Sequence, residues 1–350
     1  MNEGRTPDAS GPWGWLSSGV GYHLDNFGSW LVSRVPAVGR AYAAMIRPGR
    51  PVLAPHPGWK FAEEYYDKRQ WMACRRGALW EAARRHSTTV PLSVHWYAGT
   101  NVGVTLGNDN SLCLYVCGSF EPNEFAFLDR ILAPGMTFVD VGANDGYYSI
   151  FAARRLGATG RVVAIEPSSR ERRRLEANIV RNGIKTITVL PIALAEAPGK
   201  GELKLADGMH TGHNTLGGFA TEGVMAAATE TVDLDTLDNV ASLLHLDRVD
   251  LIKIDAEGAE VAVLQGARSV IAAQRPVLLV EVNNRALAAQ GHSATSLLEM
   301  MESSFNYRIC VYSPATGTPT LWRREQIESA NVVAIPPEHA ELASLVPANA

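Results

Sequence analysis

Cysteine is scarce in this chain, and the four residues present, Cys74, Cys113, Cys117 and Cys310, are scattered. Cys113 and Cys117 lie in the alternating run Leu112-Cys113-Leu114-Tyr115-Val116-Cys117, where a strand would put them on one face, two pleats apart. No second ligand pair completes a zinc site, and a disulfide between them would fit an extended strand badly. They read as small hydrophobic side chains. No apolar run approaches the roughly 20 residues that span a bilayer. The opening Met1-Asn2-Glu3-Gly4-Arg5 lacks the basic-then-apolar order of a secretion signal, which makes the cytoplasm the expected compartment. A surplus of charge is missing too. A formal net charge of -4 gives no general attraction to polyanions, so nucleic acid is not an expected partner. Tryptophan all but disappears after residue 100, where Trp322 alone remains of eight.

What is present is a globular composition, 46% apolar and 19% charged, which over 350 residues supports one large core with an extension or two modest domains. Residues 1–120 are expected to form an N-terminal extension. Its Gly/Pro/Ser-rich start, residues 1–12, is expected to be disordered. A helical stripe of Leu31, Val35, Val38, Tyr42 and Met45 follows, interrupted by Pro36, and then a second helix over about 61–85. Strands are expected near 90–97, 102–106 and 112–117, the last two joined as a hairpin by Gly107-Asn108-Asp109-Asn110.

The period changes over residues 121–340. An amphipathic helix at 123–132 precedes a strand at 137–141, a helix at 147–156 and a strand at 161–165. Ser168 or Ser169 is placed to cap a helix that stops at Asn182-Gly183. Strands at 186–190, 251–255, 277–282, 307–312 and 332–335 follow, with helices at 259–272 and 294–303 between them. This alternation predicts an α/β fold: a doubly wound, mostly parallel, seven-stranded sheet covered by helices on both faces. Residues 341–350 read as a tail.

The most specific signal is the turn Val139-Asp140-Val141-Gly142-Ala143-Asn144-Asp145-Gly146. A strand that runs into glycines and then a helix leaves backbone N–H groups free and lets a ligand approach the main chain. Such crevices beyond strand ends are the usual ligand sites of open α/β sheets. The dinucleotide fingerprint is absent, however: Asn144 and Tyr147 stand where its second and third glycines belong, so a pyrophosphate fits badly. The pattern suits a ligand without phosphate, whose ammonium and carboxylate end meets a carboxylate and backbone N–H groups. Glu166, at the end of the next apolar strand, is placed to accept the two hydroxyls of a ribose. The third element is Lys253-Ile254-Asp255-Ala256-Glu257-Gly258-Ala259-Glu260. With the fourth strand beside the first, Asp255 and Glu257 should overlook the same crevice, where they could orient a substrate hydroxyl, take its proton or hold a divalent cation.

In these residues the chain resembles the FkbM family of class I S-adenosylmethionine-dependent methyltransferases. The resemblance runs from Glu121-Pro122-x-Glu124 through Pro134-Gly135, the Gly142-Ala143-Asn144 turn, Ile165-Glu166-Pro167, Asn182-Gly183, Leu234-Asp235 and Asp255-x-Glu257-Gly258-Ala259-Glu260 to Asn331-Val332-Val333-Ala334. It covers roughly residues 120–335 and leaves out the first 100. It implies a Rossmann-like class I fold, S-adenosylmethionine as methyl donor, and usually a hydroxyl acceptor on a sugar, glycan or secondary metabolite. Carried over by position, Asp140, Gly142, Asn144 and Gly146 form the methionine-end turn and Glu166 holds the ribose. Ala193, with Leu194, lies near the adenine, and Asp255 completes the cofactor site. A histidine that relatives often have shortly after the fifth strand's glutamate is replaced here by Glu281-Val282-Asn283-Asn284.

The loop Asp207-Gly208-Met209-His210-Thr211-Gly212-His213-Asn214-Thr215 has the glycine and polar content of an active-site cover, and His210 or His213 could accept a proton. The expected chemistry is in-line attack of an acceptor oxygen on the sulfonium methyl group, with Asp255, Glu257 and His213 as catalytic candidates. No metal-ligand set is assigned, although a divalent cation is left open. The competing readings are N-methylation of an amide or peptide, a catalytically silent nucleoside-binding protein, and an NAD-linked oxidoreductase, which the missing glycines disfavour. Beyond the acceptor, the arginine-flanked stripe of residues 30–50 leaves open contact with a membrane surface or a homodimer.

Overall fold

The computed structural model of the protein describes residues 30, 35–59, 71–220, 224–339 and 342. The expectations for residues 1–12, 31–34 and 61–70, and for most of the tail 341–350, lie outside the described residues. The chain divides into two compact units. The smaller comprises residues 1–51, 60–95 and 103–120; the larger comprises 52–59, 96–102 and 121–350. Among the described residues no helix is long and apolar enough to cross a membrane.

In the smaller unit the described helices are Pro36–Met45 and Trp71–Arg85. Pro36 opens its helix rather than interrupting one, because at the first turn its missing N–H costs nothing. Strands β1 (Val90–His95) and β2 (Asn101–Leu106) pair with each other. The expected hairpin between 102–106 and 112–117 does not form, because Leu112–Cys117 is a π-helical turn. Asn108 accepts the Ser111 N–H and starts the turn, and Leu112 through Val116 are all buried, so the alternation of residue types carried no alternation of faces. All four cysteines are thiols, three of them buried.

The larger unit is built on an eight-stranded sheet. Its strands are β3 (Thr137–Val141), β4 (Arg161–Ile165), β5 (Ile187–Leu190), β9 (Leu251–Ile254), β10 (Val277–Asn283), β11 (Arg308–Tyr312), β12 (Pro319–Leu321) and β13 (Ser329–Ile335). Their order is β12-β11-β13-β10-β9-β3-β4-β5. The five strands from β10 to β5 are parallel, and β13 inserts antiparallel between β10 and β11. This is the expected doubly wound class I arrangement, with the three-residue β12 as an eighth strand. The core strands are apolar without alternation because helices bury both faces. From β3 the chain winds outward to β4 and β5, then returns to β9 on the other side. That reversal opens a crevice between the carboxyl ends of β3 and β9.

A second sheet of three strands, β6 (Ile192–Leu194), β7 (Gly199–Ala206) and β8 (Ala226–Asp235), in the order β6-β8-β7, was not legible in the sequence. Its long strands put Lys200, Glu202 and most of 226–229 in solvent, so they lack the apolar content of a core strand. The helix expected at 259–272 is two, Glu260–Gln265 and Arg268–Gln274, and the one at 294–303 turns π-helical at Met300.

Candidate active site

The carboxyl end of β3 passes through the turn 142–146 into the helix Tyr147–Leu156. Gly142 has φ +74, and a Cβ there would sit 1.8 Å from the Asp255 carbonyl oxygen, so only glycine lets the β3 and β9 ends come this close. The turn is stitched to the neighbouring strand: Gly142 and Ala143 both donate to the Ile165 carbonyl, at 3.0 Å each. Asn144 is left-handed (φ +49), and its N–H donates to Glu166 Oε2 at 2.8 Å. Glu166 Oε1 accepts from the Ser168 N–H, also at 2.8 Å. Burial pushes the Glu166 carboxyl up to about 8, against the lowering effect of these two N–H groups.

A cavity lies here, whose walls are formed by Gly142, Asn144 and Glu166 on one side, Ala193 and Leu194 at the end, and Asp255 and Glu257 opposite. Two of the expected cofactor residues stand behind the wall instead. Asp140 is 0% exposed and accepts from Ser149 Oγ at 2.5 Å. Gly146 opens the helix at φ +83, and a Cβ there would strike Leu175.

Opposite the turn, Lys253 Nζ lies 2.9 Å from Asp255 Oδ2. Burial works to raise Asp255, but the Lys253 ammonium and a hydrogen bond from Glu281 outweigh it and hold the carboxyl below its ordinary value. Glu281 rises well above the usual range, first through burial and then through the charges of Asp255 and Glu257. Of the two, Asp255 is held toward its charged form by Lys253, and Glu281 toward its protonated form by burial and its acidic neighbours. Glu257 is a non-glycine residue at φ +47, a costly conformation that the packing enforces. Burial raises its carboxyl, and His213 Nδ1, 3.5 Å from its Oε1, works in the other direction. Carboxylate oxygens of Asp255, Glu257 and Glu281 lie within 4.8 Å of one another, close enough to share a metal ion.

The loop 207–215 lies over this cavity. Asn144 Nδ2 donates to the Thr211 carbonyl at 3.3 Å, and Thr215 Oγ1 donates to the Glu257 carbonyl at 2.8 Å, so the loop is tied to both walls. The loop separates its two histidines by task. His213 faces Glu257, whereas His210 Nδ1 pairs with Asp207 at 3.0 Å. Sequence reasoning gave Lys253 and Glu281 no role. Each is a lone charged residue inside an apolar strand, and that was the available signal, since such groups are buried only with partners.

Comparison with known proteins gives the same domain. Residues 140–309 match the methyltransferase FkbM domain. The AMB antimetabolite synthetase AmbE of Pseudomonas aeruginosa is 29% identical over 206 residues, which are 49% of this chain and 9% of that protein; the chain thus spans under a tenth of that relative. Among solved structures, the precorrin-6y C5,15-methyltransferase of Geobacter metallireducens aligns at 13% identity and a TM-score of 0.36, over 62% of this chain and 89% of that one. The O-methyltransferase of Bacillus cereus in complex with SAH aligns at 13% identity and a TM-score of 0.35, over 61% and 78%. Across residues 140–309 this chain is thus similar to the methyltransferase FkbM domain.

Proposed function

We propose that the protein transfers the methyl group of S-adenosylmethionine to a hydroxyl of a sugar, glycan or other small-molecule acceptor. The observation that carries this reading is the single cavity bringing together Gly142, Asn144, Glu166, Ala193, Asp255 and Glu257 from four separate stretches of chain. The donor set suits a nucleoside with an amino-acid tail and no phosphate. Each Glu166 oxygen accepts one backbone N–H and keeps a lone pair for a ribose hydroxyl. Ala193 and Leu194 give an apolar wall for the adenine, while the bare Gly142 backbone and Asn144 receive the methionine end. Asp140 and Gly146 support the turn from behind.

Bound there, S-adenosylmethionine supplies an activated methyl group on a sulfonium centre. The chain's own work is alignment, water exclusion by the 207–215 loop, and management of the acceptor's proton. Asp255, held toward its charged form by Lys253, is suited to orient a hydroxyl by accepting its hydrogen bond, but its lowered basicity makes it a weak proton acceptor. Glu257, raised by burial and adjoining His213, is the better base. The relationship to an enzyme named for making an antimetabolite supports a small-molecule acceptor.

The test is calorimetric titration of the pure protein with S-adenosylmethionine and S-adenosylhomocysteine, followed by transfer of labelled methyl groups into cell-extract fractions. Binding should be lost or weakened about 100-fold in Glu166→Ala, which removes two buried hydrogen bonds to the ribose. Absence of heat with either nucleoside on folded wild-type protein would sink the reading. Binding without transfer to any fraction would make the protein a nucleoside sensor.

A further inference from the structure

Beside the donor cavity lies a row of polar side chains that the donor does not need. Residues opposed across neighbouring strands point to one face of a sheet. Glu281 opposes Asn331 across β10 and β13. One residue past the pair Val280–Ile254, Glu281 also stands beside Asp255, their carboxylate oxygens within 4.8 Å of each other. One residue past the pair Val311–Val332, Tyr312 stands beside Asn331. Asp255, Glu281, Asn331 and Tyr312 thus form one line across four strands, leading away from the crevice over about 14 Å at the usual strand spacing.

The start of the helix Pro122–Ile131 lies against this row. Asn331 Nδ2 donates to Glu121 Oε1 at 3.0 Å and to Glu124 Oε1 at 3.2 Å. Tyr148 donates to Glu121 Oε2 at 2.5 Å, and its ring lies under the Lys253 ammonium at 4.8 Å. Two groups in this constellation are left over. Glu124 is only 6% exposed, yet its Oε2 has no hydrogen-bond partner among the described residues, and neither does the buried hydroxyl of Tyr312. Both flank Asn331, Glu124 through its hydrogen bond and Tyr312 through the strand register. A buried acceptor and a buried hydroxyl without partners are costly unless something else binds them. The facing charges are carboxyl groups, and the Lys253 ammonium is already committed to Asp255.

We propose that Glu121, Glu124, Asn331 and Tyr312 form the acceptor-recognition subsite, taking a hydroxylated group that is neutral or cationic and turning away anionic acceptors. Glu124 Oε2 receives an O–H or N–H of the acceptor, and the Tyr312 hydroxyl makes the second hydrogen bond. Asn331, fixed between the two glutamates, sets their spacing. The separation from Asp255 fits an acceptor longer than one sugar ring. This subsite rests on the donor reading above, which places the transferred methyl group near Asp255.

The test uses full-length protein saturated with S-adenosylhomocysteine and three probes: maltotriose, the glucosamine trimer and trigalacturonate, read by saturation-transfer NMR. The two non-anionic trimers should bind and trigalacturonate should not. Glu124→Gln should weaken the binding trimers about tenfold and Tyr312→Phe about threefold, losses in the range expected for single buried hydrogen bonds. Both should leave the affinity for S-adenosylhomocysteine unchanged. Tyr312→Phe removes a hydroxyl with no partner among the described residues, so a purely structural role predicts no effect; this variant decides the matter even where Glu124→Gln fails to fold. Binding of trigalacturonate, binding of no trimer, or undiminished trimer binding by Tyr312→Phe would overturn the subsite. Failure of S-adenosylhomocysteine to bind wild-type protein would instead strike the donor reading, and the same titration separates the two.

Discussion

One wall of the crevice, made by Gly142, Asn144 and Glu166, belongs to a single strand–helix–strand segment and is held by backbone hydrogen bonds. The opposite wall, made by Asp255 and Glu257 with Lys253 and Glu281 next to Asp255, is assembled from neighbouring strands and is held by charge. The first wall is a shape that side chains would obstruct. The second is an electrostatic balance in which one ammonium holds one carboxyl toward its charged form while burial and acidic neighbours hold another toward its protonated form. Shape is suited to a fixed ligand and charge balance to a proton that has to move.

The sharpest way to break this contrast is Gly142→Ala. The added Cβ meets the Asp255 carbonyl at 1.8 Å and the backbone stays at φ +74, so the two walls must part. We expect a loss of about 3 kcal/mol or more in denaturant unfolding, together with loss of nucleoside binding. A mild variant would mean that the walls tolerate separation. Next in size, Asp255→Asn removes the charge without the shape. Turnover should fall about 100-fold with nucleoside affinity retained, measured by single-turnover methyl transfer and calorimetry.

A third measurement reads the buried carboxyls through pH. Burial raises Glu166 and Glu124 to about 8 and Glu260 to about 7, all above the ordinary carboxylate range. The folded state therefore binds more protons than the unfolded chain. The stability these groups contribute is complete in acid and is lost as pH rises from the ordinary range through about 8. Thermal midpoints at pH 5, 6, 7 and 8 should decline, and Glu124→Gln should flatten the decline. A slope unchanged in that variant would remove Glu124 from the account. The smallest expected effect separates the two loop histidines. His213→Ala should lower turnover about tenfold and shift its pH profile, whereas His210→Ala, which removes the partner of Asp207 rather than of Glu257, should change both less.

Legibility followed the same division. The strand 137–141, the helix 147–156 and the strand 161–165 stand where the sequence put them, because apolar runs, a glycine turn and helix periodicity are local signals. Gly142, Asn144, Glu166 and Ala193 reach the cavity as expected. Asp140 does not, because its side chain leaves the strand toward Ser149, and nothing in the order of residues fixes that direction. The sheet β6-β8-β7 escaped notice because exposed strands carry little apolar pattern. At 112–117 the alternation misled, since complete burial satisfies a helical turn as well as a strand.

By itself, the order of residues determined the winding of the sheet, the glycine turn after β3 and the carboxylate after β4, since each depends on neighbours a few residues apart. Only the tertiary structure decided which acid lies against the Lys253 ammonium, and which histidine faces Glu257. Those outcomes depend on distances and desolvation among β9, β10 and the 207–215 loop, groups far apart in the chain that meet only when the sheet closes.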